Sequence, residues 1–162
     1  MDDFVQSECP AGEAGTLGSC SPCSPGEYTD IPGETSCIPC DAGDNSTAAS
    51  STCTPCGPGE FSEQGSAECT PCPAGQYAQG NGNSLCIPCE AGKYADTPGT
   101  VECDECELGT FASSSGSTEC RDCPVGHYAS ELGSSSCTPC ENDAITAGEG
   151  SESETDCIGN VI

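Results

Sequence analysis

The chain has 162 residues and a formal charge of −25, with Lys93 and Arg121 as its only strongly basic side chains. That charge excludes the basic footprint that nucleic acids and anionic membrane surfaces require. Only 33% of the residues are apolar, and 18 of these are cysteines, which excludes a large aliphatic core.

Thirteen prolines and 21 glycines are spread along the chain, so helices of ordinary length have nowhere to form. Turns and short strands are the expected elements. No apolar run approaches the roughly 20 residues of a membrane span, so this chain is not expected to insert into a membrane. The opening MDDFVQSECP has neither the basic start nor the apolar stretch of a signal peptide. If the protein is secreted, this chain is a mature piece or a fragment of something longer.

In chain order, residues 1–19 read as an N-terminal partial repeat, because Cys9 to Ser19 is a shortened copy lacking its first cysteine. Residues 20–140 carry tandem units of 16 or 17 residues, each opening on a C-x-x-C pair: CSPCSPGEYTDIPGETS from Cys20, then copies from Cys37, Cys53, Cys69, Cys86, Cys103 and Cys120. The last pair, from Cys137, leads into residues 141–162, a capping or linking segment. Self-similarity at a short fixed period signals a repeat architecture in which each unit contacts mainly its neighbours.

Each unit repeats the same parts. Three residues after the second cysteine stands Gly26, Gly43, Gly59, Gly75, Gly92, Gly109 or Gly126, a turn that needs positive φ or close backbone approach. Two residues later comes Tyr28, Phe61, Tyr77, Tyr94, Phe111 or Tyr128, six of the seven aromatic side chains (4 Tyr, 3 Phe) in one slot. They are expected to lie over disulfides as the miniature core of each unit. Asn45 and Ile145 take this slot in unit two and in the last unit. A second glycine (Gly33, Gly65, Gly82, Gly99, Gly116, Gly133 or Gly150) marks a reversal or bulge. The expected fold is a small disulfide-rich repeat protein, an elongated ladder of short irregular β-hairpins with little or no helix.

C-x-x-C pairs 12 or 13 residues apart resemble zinc-ribbon spacing. Four sites with four thiolates each would strand Cys9 and Cys157, and the units run on evenly without the pairwise grouping that zinc modules show. Thioredoxin-type chemistry needs its C-x-x-C at a helix start that lowers a thiol pKa, and no such helix is available. Cysteines at about 11% of the chain favour a disulfide scaffold. Joining the second cysteine of each pair to the first of the next gives Cys23–Cys37, Cys40–Cys53, Cys56–Cys69, Cys72–Cys86, Cys89–Cys103, Cys106–Cys120 and Cys123–Cys137. Cys9–Cys20 and Cys140–Cys157 then complete the set. Crossed pairing consumes cysteines in fours and does not divide eighteen, but mixed schemes stay open. Closing a loop of about 15 residues contributes roughly 3 kcal/mol, whereas ordering each backbone residue costs roughly 1–2 kcal/mol. Rings, turn hydrogen bonds and stacking must therefore add to the staples.

The pattern C-x-P-C-x-x-G-x-Y/F, ending in G-S/T-x-x-C in several copies, resembles the ephrin-receptor-like cysteine-rich repeat, a relative of tumour-necrosis-factor-receptor and EGF-like modules. The resemblance covers about Cys20 to Cys140. Unit two lacks the aromatic, units six and seven lack the proline between their cysteines, and the last unit has neither glycine nor aromatic in register. The resemblance implies an extracellular or cell-surface location, disulfides and a spacer or adhesion role. Its partners would be other extracellular proteins or copies of itself. It does not imply one ligand.

No enzyme is expected. His127 is the only histidine and reads as an exposed variable position, in a slot that other units fill with Glu27, Glu60, Gln76, Lys93 and Thr110. It has no nucleophile partner, and no phosphate-cradling loop is present. The acidic groups Asp41 with Asp44, Asp104 with Glu105 and Glu107, and Glu149 to Asp156 form no EF-hand loop. They read as solvated carboxylates compatible with weak, diffuse calcium binding, and no other cofactor is expected. Asn45-Ser46-Thr47 is the single N-glycosylation sequon, and its use is expected in a secreted chain. The resulting expectation is a structural or adhesive spacer in a surface filament, matrix or appendage. The alternative is a fragment of a receptor ectodomain, against which the acidic, polar stretch Glu141 to Asp156 offers no apolar docking loop.

Overall fold

The fold is seen in a computed structural model that describes residues 8–159. Within that range the chain forms two compact units, residues 8–71 with 78–86 and residues 72–77 with 87–159. The first holds four antiparallel hairpins: Glu13–Thr16 with Ser19–Pro22, Glu27–Tyr28 with Ile38–Pro39, Asp44–Asn45 with Thr54–Pro55, and Glu60–Phe61 with Thr70–Pro71. The second holds five: Gln76–Tyr77 with Ile87–Pro88, Lys93–Tyr94 with Asp104–Glu105, Thr110–Phe111 with Arg121–Asp122, His127–Tyr128 with Thr138–Pro139, and Ile145–Thr146 with Cys157–Ile158. Among the described residues the one helical element is a 3-10 turn, Glu154–Asp156, capped by Ser153. The architecture is thus the expected disulfide-rich ladder of hairpins with essentially no helix.

The physical hairpin is offset from the sequence unit. Its first strand follows the second cysteine of one pair, and its second strand lies between the two cysteines of the next. Where that second strand ends in Pro39, Pro55, Pro71, Pro88 or Pro139, the proline has no N–H to donate, and a following cysteine closes the hairpin instead, as Cys40 does at the Gly26 carbonyl (2.9 Å). Bridges join Cys9–Cys20, Cys23–Cys37, Cys40–Cys53 and Cys56–Cys69 in the first unit. In the second they join Cys89–Cys103, Cys106–Cys120, Cys123–Cys137 and Cys140–Cys157. Cys72 and Cys86 are also disulfide-bonded, and no described cysteine is free.

Successive hairpins are sewn by a repeated set of three backbone hydrogen bonds. In the second unit the Gly109 N–H donates to the Ala129 carbonyl at 2.8 Å and the Ala112 N–H to Ser134 at 3.1 Å. The Gly133 N–H donates to Cys106 at 2.8 Å, while a bond from the Cys123 N–H to Gly109 at 2.8 Å closes the end of the hairpin itself. The first unit repeats the pattern with Gly26 to Ser46, Thr29 to Ser50 and Ala49 to Cys23 between hairpins, and Cys40 to Gly26 within one. Each such bond contributes about 0.5–1.5 kcal/mol. These seams supply the ordering that the staples alone leave short.

Contact also extends one hairpin further than expected. A Cβ on Gly26 would overlap the carbonyl oxygen of Gly65, two hairpins along, and one on Gly109 would overlap that of Gly150. The same relation joins Gly43 to Gly82, Gly75 to Gly116 and Gly92 to Gly133. A hairpin two residues wide is a thin layer, and a bare Cα lets the main chains on either side of it touch.

The core is smaller than the aromatic slot suggests. Tyr28, Phe61, Tyr77, Tyr94, Phe111 and Tyr128 are only half-buried. The sealed position is the next residue: Thr29, Ser46, Ser62, Ala78, Ala95, Ala112, Ala129 and Thr146 are at most 4% exposed. Consecutive strand residues face opposite ways, so one turns inward where the other turns out. The inward face is closed by backbone and sulfur and accepts only small side chains. Its hydroxyls find acceptors within the fold, as Ser46 Oγ does at the Glu27 carbonyl (2.9 Å) and Ser62 Oγ at Asp44 (2.9 Å).

Ala49 stands in the second-glycine slot of its hairpin with φ +59°, its N–H donating to Cys23. A left-handed conformation costs an L-residue about 1–2 kcal/mol, of which glycine's greater unfolded-state entropy gives back about 0.4–1 kcal/mol. Ala49→Gly is therefore expected to stabilise the fold by up to about 1 kcal/mol, raising Tm by about 2–4 °C. A lower Tm in a calorimetric scan would contradict this.

Candidate functional surface

Because the inward face is filled by cysteines and small residues, whatever the chain recognises must meet the outward face, the loops or the half-exposed rings. Tyr77 packs against the cluster of Cys89, Ala95 and Cys103 and so lies over the staple of the next hairpin. Large aliphatic side chains reach solvent singly along the loops, among them Leu17, Leu85 and Leu132. Scattered exposure of this kind is ordinary for a protein surface. A groove of 390 Å³ beside one loop is lined largely by hydroxyls, from Ser130, Ser134, Ser135, Ser136 and Thr138.

The acidic residues do not gather. Among the described residues no three of His, Cys, Asp or Glu converge as a metal site would require. Asp156 instead accepts hydrogen bonds from the backbone N–H groups of Glu152 (3.1 Å) and Ser153 (3.0 Å), closing the cap of the 3-10 turn. Lys93 pairs with Glu105 directly across its hairpin at 3.3 Å. Both side chains are more than a third exposed, so this pair adds little to stability.

His127 is half-buried rather than exposed, as are Glu27, Glu60, Gln76, Lys93 and Thr110 in the same slot. The cause is the hairpin itself, since Pro139 sits directly opposite. Nδ1 of His127 is the one buried side-chain polar atom without a hydrogen-bond partner among the described residues. Asn45 is also half-buried, and its Nδ2 donates to the Ala67 carbonyl of the next hairpin at 3.3 Å, at the exposed surface.

The family model for the tyrosine-protein kinase ephrin type A/B receptor-like repeat matches residues 59–106, 75–119 and 109–157, together more than half of the chain. The chain belongs to the ephrin type A/B receptor-like family. No curated protein matches it. This family is a disulfide-rich, non-catalytic ectodomain module, and its membership together with the fully bonded cysteines indicates an extracellular setting. Among the described residues no helix is long and apolar enough to cross a membrane.

The family match differs in extent from the sequence resemblance. It starts at Gly59, after the hairpin that carries Asn45 and Ala49, and it runs through the last hairpin to Cys157. That last hairpin replaces the turn glycine with Asn142 and Asp143, both at positive φ (53° and 55°). These are residue types that tolerate the left-handed region. Thr146 fills its sealed slot, and Thr146 Oγ1 accepts from the Gly126 N–H at 3.1 Å. Residues 8–58 repeat the same seams outside the match.

The sealed slot is the feature that sequence reasoning passed over. Its signal was present as a column of Thr, Ser or Ala directly after every aromatic position. The terminal staple differs from the others. Cys140 and Cys157 are both half-buried, whereas Cys9, Cys23, Cys40, Cys56, Cys89, Cys106 and Cys123 each give their own bridge a partner no more than 2% exposed. Access limits thiolate attack on a disulfide. Limited reduction with alkylation and peptide mapping is therefore expected to label Cys140 and Cys157 first, and earlier labelling of an interior pair would refute the access argument.

Proposed function

We propose that this chain is a disulfide-stapled spacer segment of an extracellular assembly such as a filament, matrix or surface appendage, contacting copies of itself or other extracellular proteins. The observation that carries this reading is the seam, in which the same backbone bonds recur from hairpin to hairpin while the outward side chains vary. Backbone-to-backbone sewing maintains spacing without constraining the surface, which suits a part whose role is length, protease resistance and lateral contact. Exposed chemistry that is polar, acidic and varied from repeat to repeat also supports it. The rival reading is a receptor ectodomain segment, which the family match favours. Labelling unpermeabilised source cells with an antibody to the chain, followed by electron microscopy, separates the two. Regular decoration of a filament or sheath is the expected result. Recovery as a dispersed species held tightly by one soluble ligand would favour the receptor reading and overturn the spacer.

A further inference from the structure

We propose that Asn45 carries an N-linked glycan at the position where most other hairpins present an aromatic ring, an inference that rests on the extracellular reading above. The residues needed are in place: Asn45-Ser46-Thr47 is an acceptor sequence, and Asn45 occupies the half-exposed outward slot of its hairpin. In the transfer, Nδ2 of Asn45 attacks C1 of a polyprenyl-pyrophosphate-linked oligosaccharide. The Nδ2–C1 bond forms, the C1–O bond breaks, and the pyrophosphate leaves with the bonding pair. One amide proton passes to a base of the transferase.

The folded seam dictates the order of events. Ser46, the middle of the sequon, is only 4% exposed, with its hydroxyl bonded to the Glu27 carbonyl and its own carbonyl accepting from the Gly26 N–H. A transferase cannot grip that residue in the finished ladder, so modification precedes docking of the Asp44–Asn45 hairpin. The product is compatible with the fold. Glycosylated asparagine keeps one N–H, which can retain the 3.3 Å bond to the Ala67 carbonyl, while the sugar leaves from the exposed side of the amide. Tyr77 in the equivalent slot covers the staple of its next hairpin. The sugar at Asn45 grows from the corresponding place, beside the hairpin closed by Cys56–Cys69.

The test is to express the full chain through a eukaryotic secretory pathway and measure its intact mass before and after peptide-N-glycosidase treatment. The expected result is the loss of one oligosaccharide on treatment, with position 45 then reading as aspartate in the peptide map. Asn45→Gln and Thr47→Ala should each abolish the mass loss, and Asn45→Tyr should abolish it while restoring the ring and folding normally. A secreted, fully oxidised chain with unmodified Asn45 would overturn the glycan and leave the extracellular reading standing. A chain retained in the cell with free thiols would overturn both.

Discussion

Replacing Gly109 by alanine is expected to destabilise the chain by about 1–4 kcal/mol, the sum of up to about 1 kcal/mol for holding an L-residue left-handed, net of the entropy that alanine saves in the unfolded chain, and about 1–3 kcal/mol for overpacking. Gly109 has φ +76°, and an added Cβ would overlap the Gly150 oxygen and lie 2.8 Å from its carbonyl carbon. Both are backbone atoms, so no rotamer change relieves the clash. The Gly109 N–H also takes part in the seam to the next hairpin and its carbonyl closes its own hairpin, so any shift there strains the bonds to Ala129 and Cys123. Gly80 is the control: its φ is +75° but nothing lies within 4 Å of its added Cβ. Gly80→Ala should cost only the dihedral term less the entropy that alanine saves in the unfolded chain, up to about 1 kcal/mol. The expected falls in Tm are about 2–16 °C for Gly109→Ala and up to about 4 °C for Gly80→Ala. Equal losses in the two variants would show that the approach of main chains across a hairpin contributes nothing.

Removing an interior staple should be felt by the hairpins on both sides, whereas removing the last one should be felt on one. Cys89 and Cys103 lie 14 residues apart, and Cys140 and Cys157 lie 17 apart. The loop-entropy loss is therefore nearly the same for each, about 3 kcal/mol. The Cys89 hairpin, however, is sewn to its predecessor through Gly75 with Ala95 and Gly99 with Cys72, and to its successor through Gly92 with Ala112 and Gly116 with Cys89. The last hairpin is sewn on its one side only, through Ala129 with Ser151, Gly150 with Cys123 and the Gly126 N–H with Thr146 Oγ1 among the described residues. The double variant Cys89→Ala with Cys103→Ala should thus lose amide protection at Gly75, Gly92, Gly99 and Gly116. The double variant Cys140→Ala with Cys157→Ala should lose it at Gly126, Ala129 and Gly150. Hydrogen exchange reads both. Protection lost only inside the altered hairpin in each case would mean that neighbouring hairpins do not support one another.

The parts of the fold legible in sequence are those governed by local covalent chemistry. A glycine three residues after a cysteine announces a turn wherever it occurs, and 18 cysteines beside 13 prolines rule out both a helical bundle and an aliphatic core. The limited burial of the rings is not legible in the sequence, for a physical reason. Large apolar side chains are the default core of a larger domain, but here the space between hairpins is bounded by backbone and sulfur, so Ala95 is sealed at 1% exposure while Tyr94 beside it stays half-exposed. The half-burial of His127 is hidden in the sequence for a related reason. A slot that varies in chemistry looks exposed, yet its variation reflects the tolerance of a half-buried hairpin edge.

By itself the sequence determined the period, the turn positions, the short-strand character and the disulfide-rich class. Each depends on spacing and on residue types whose backbone preferences are local. The tertiary structure alone decided the rest. It showed that the hairpin straddles two sequence units, that the residue after the ring is the sealed one, and that Gly109 meets Gly150 two hairpins away. It also placed Ala49 in the left-handed region that its neighbours assign to glycine. These depend on which main chains the stacking brings together, a relation between residues about 20–40 apart that no local preference encodes.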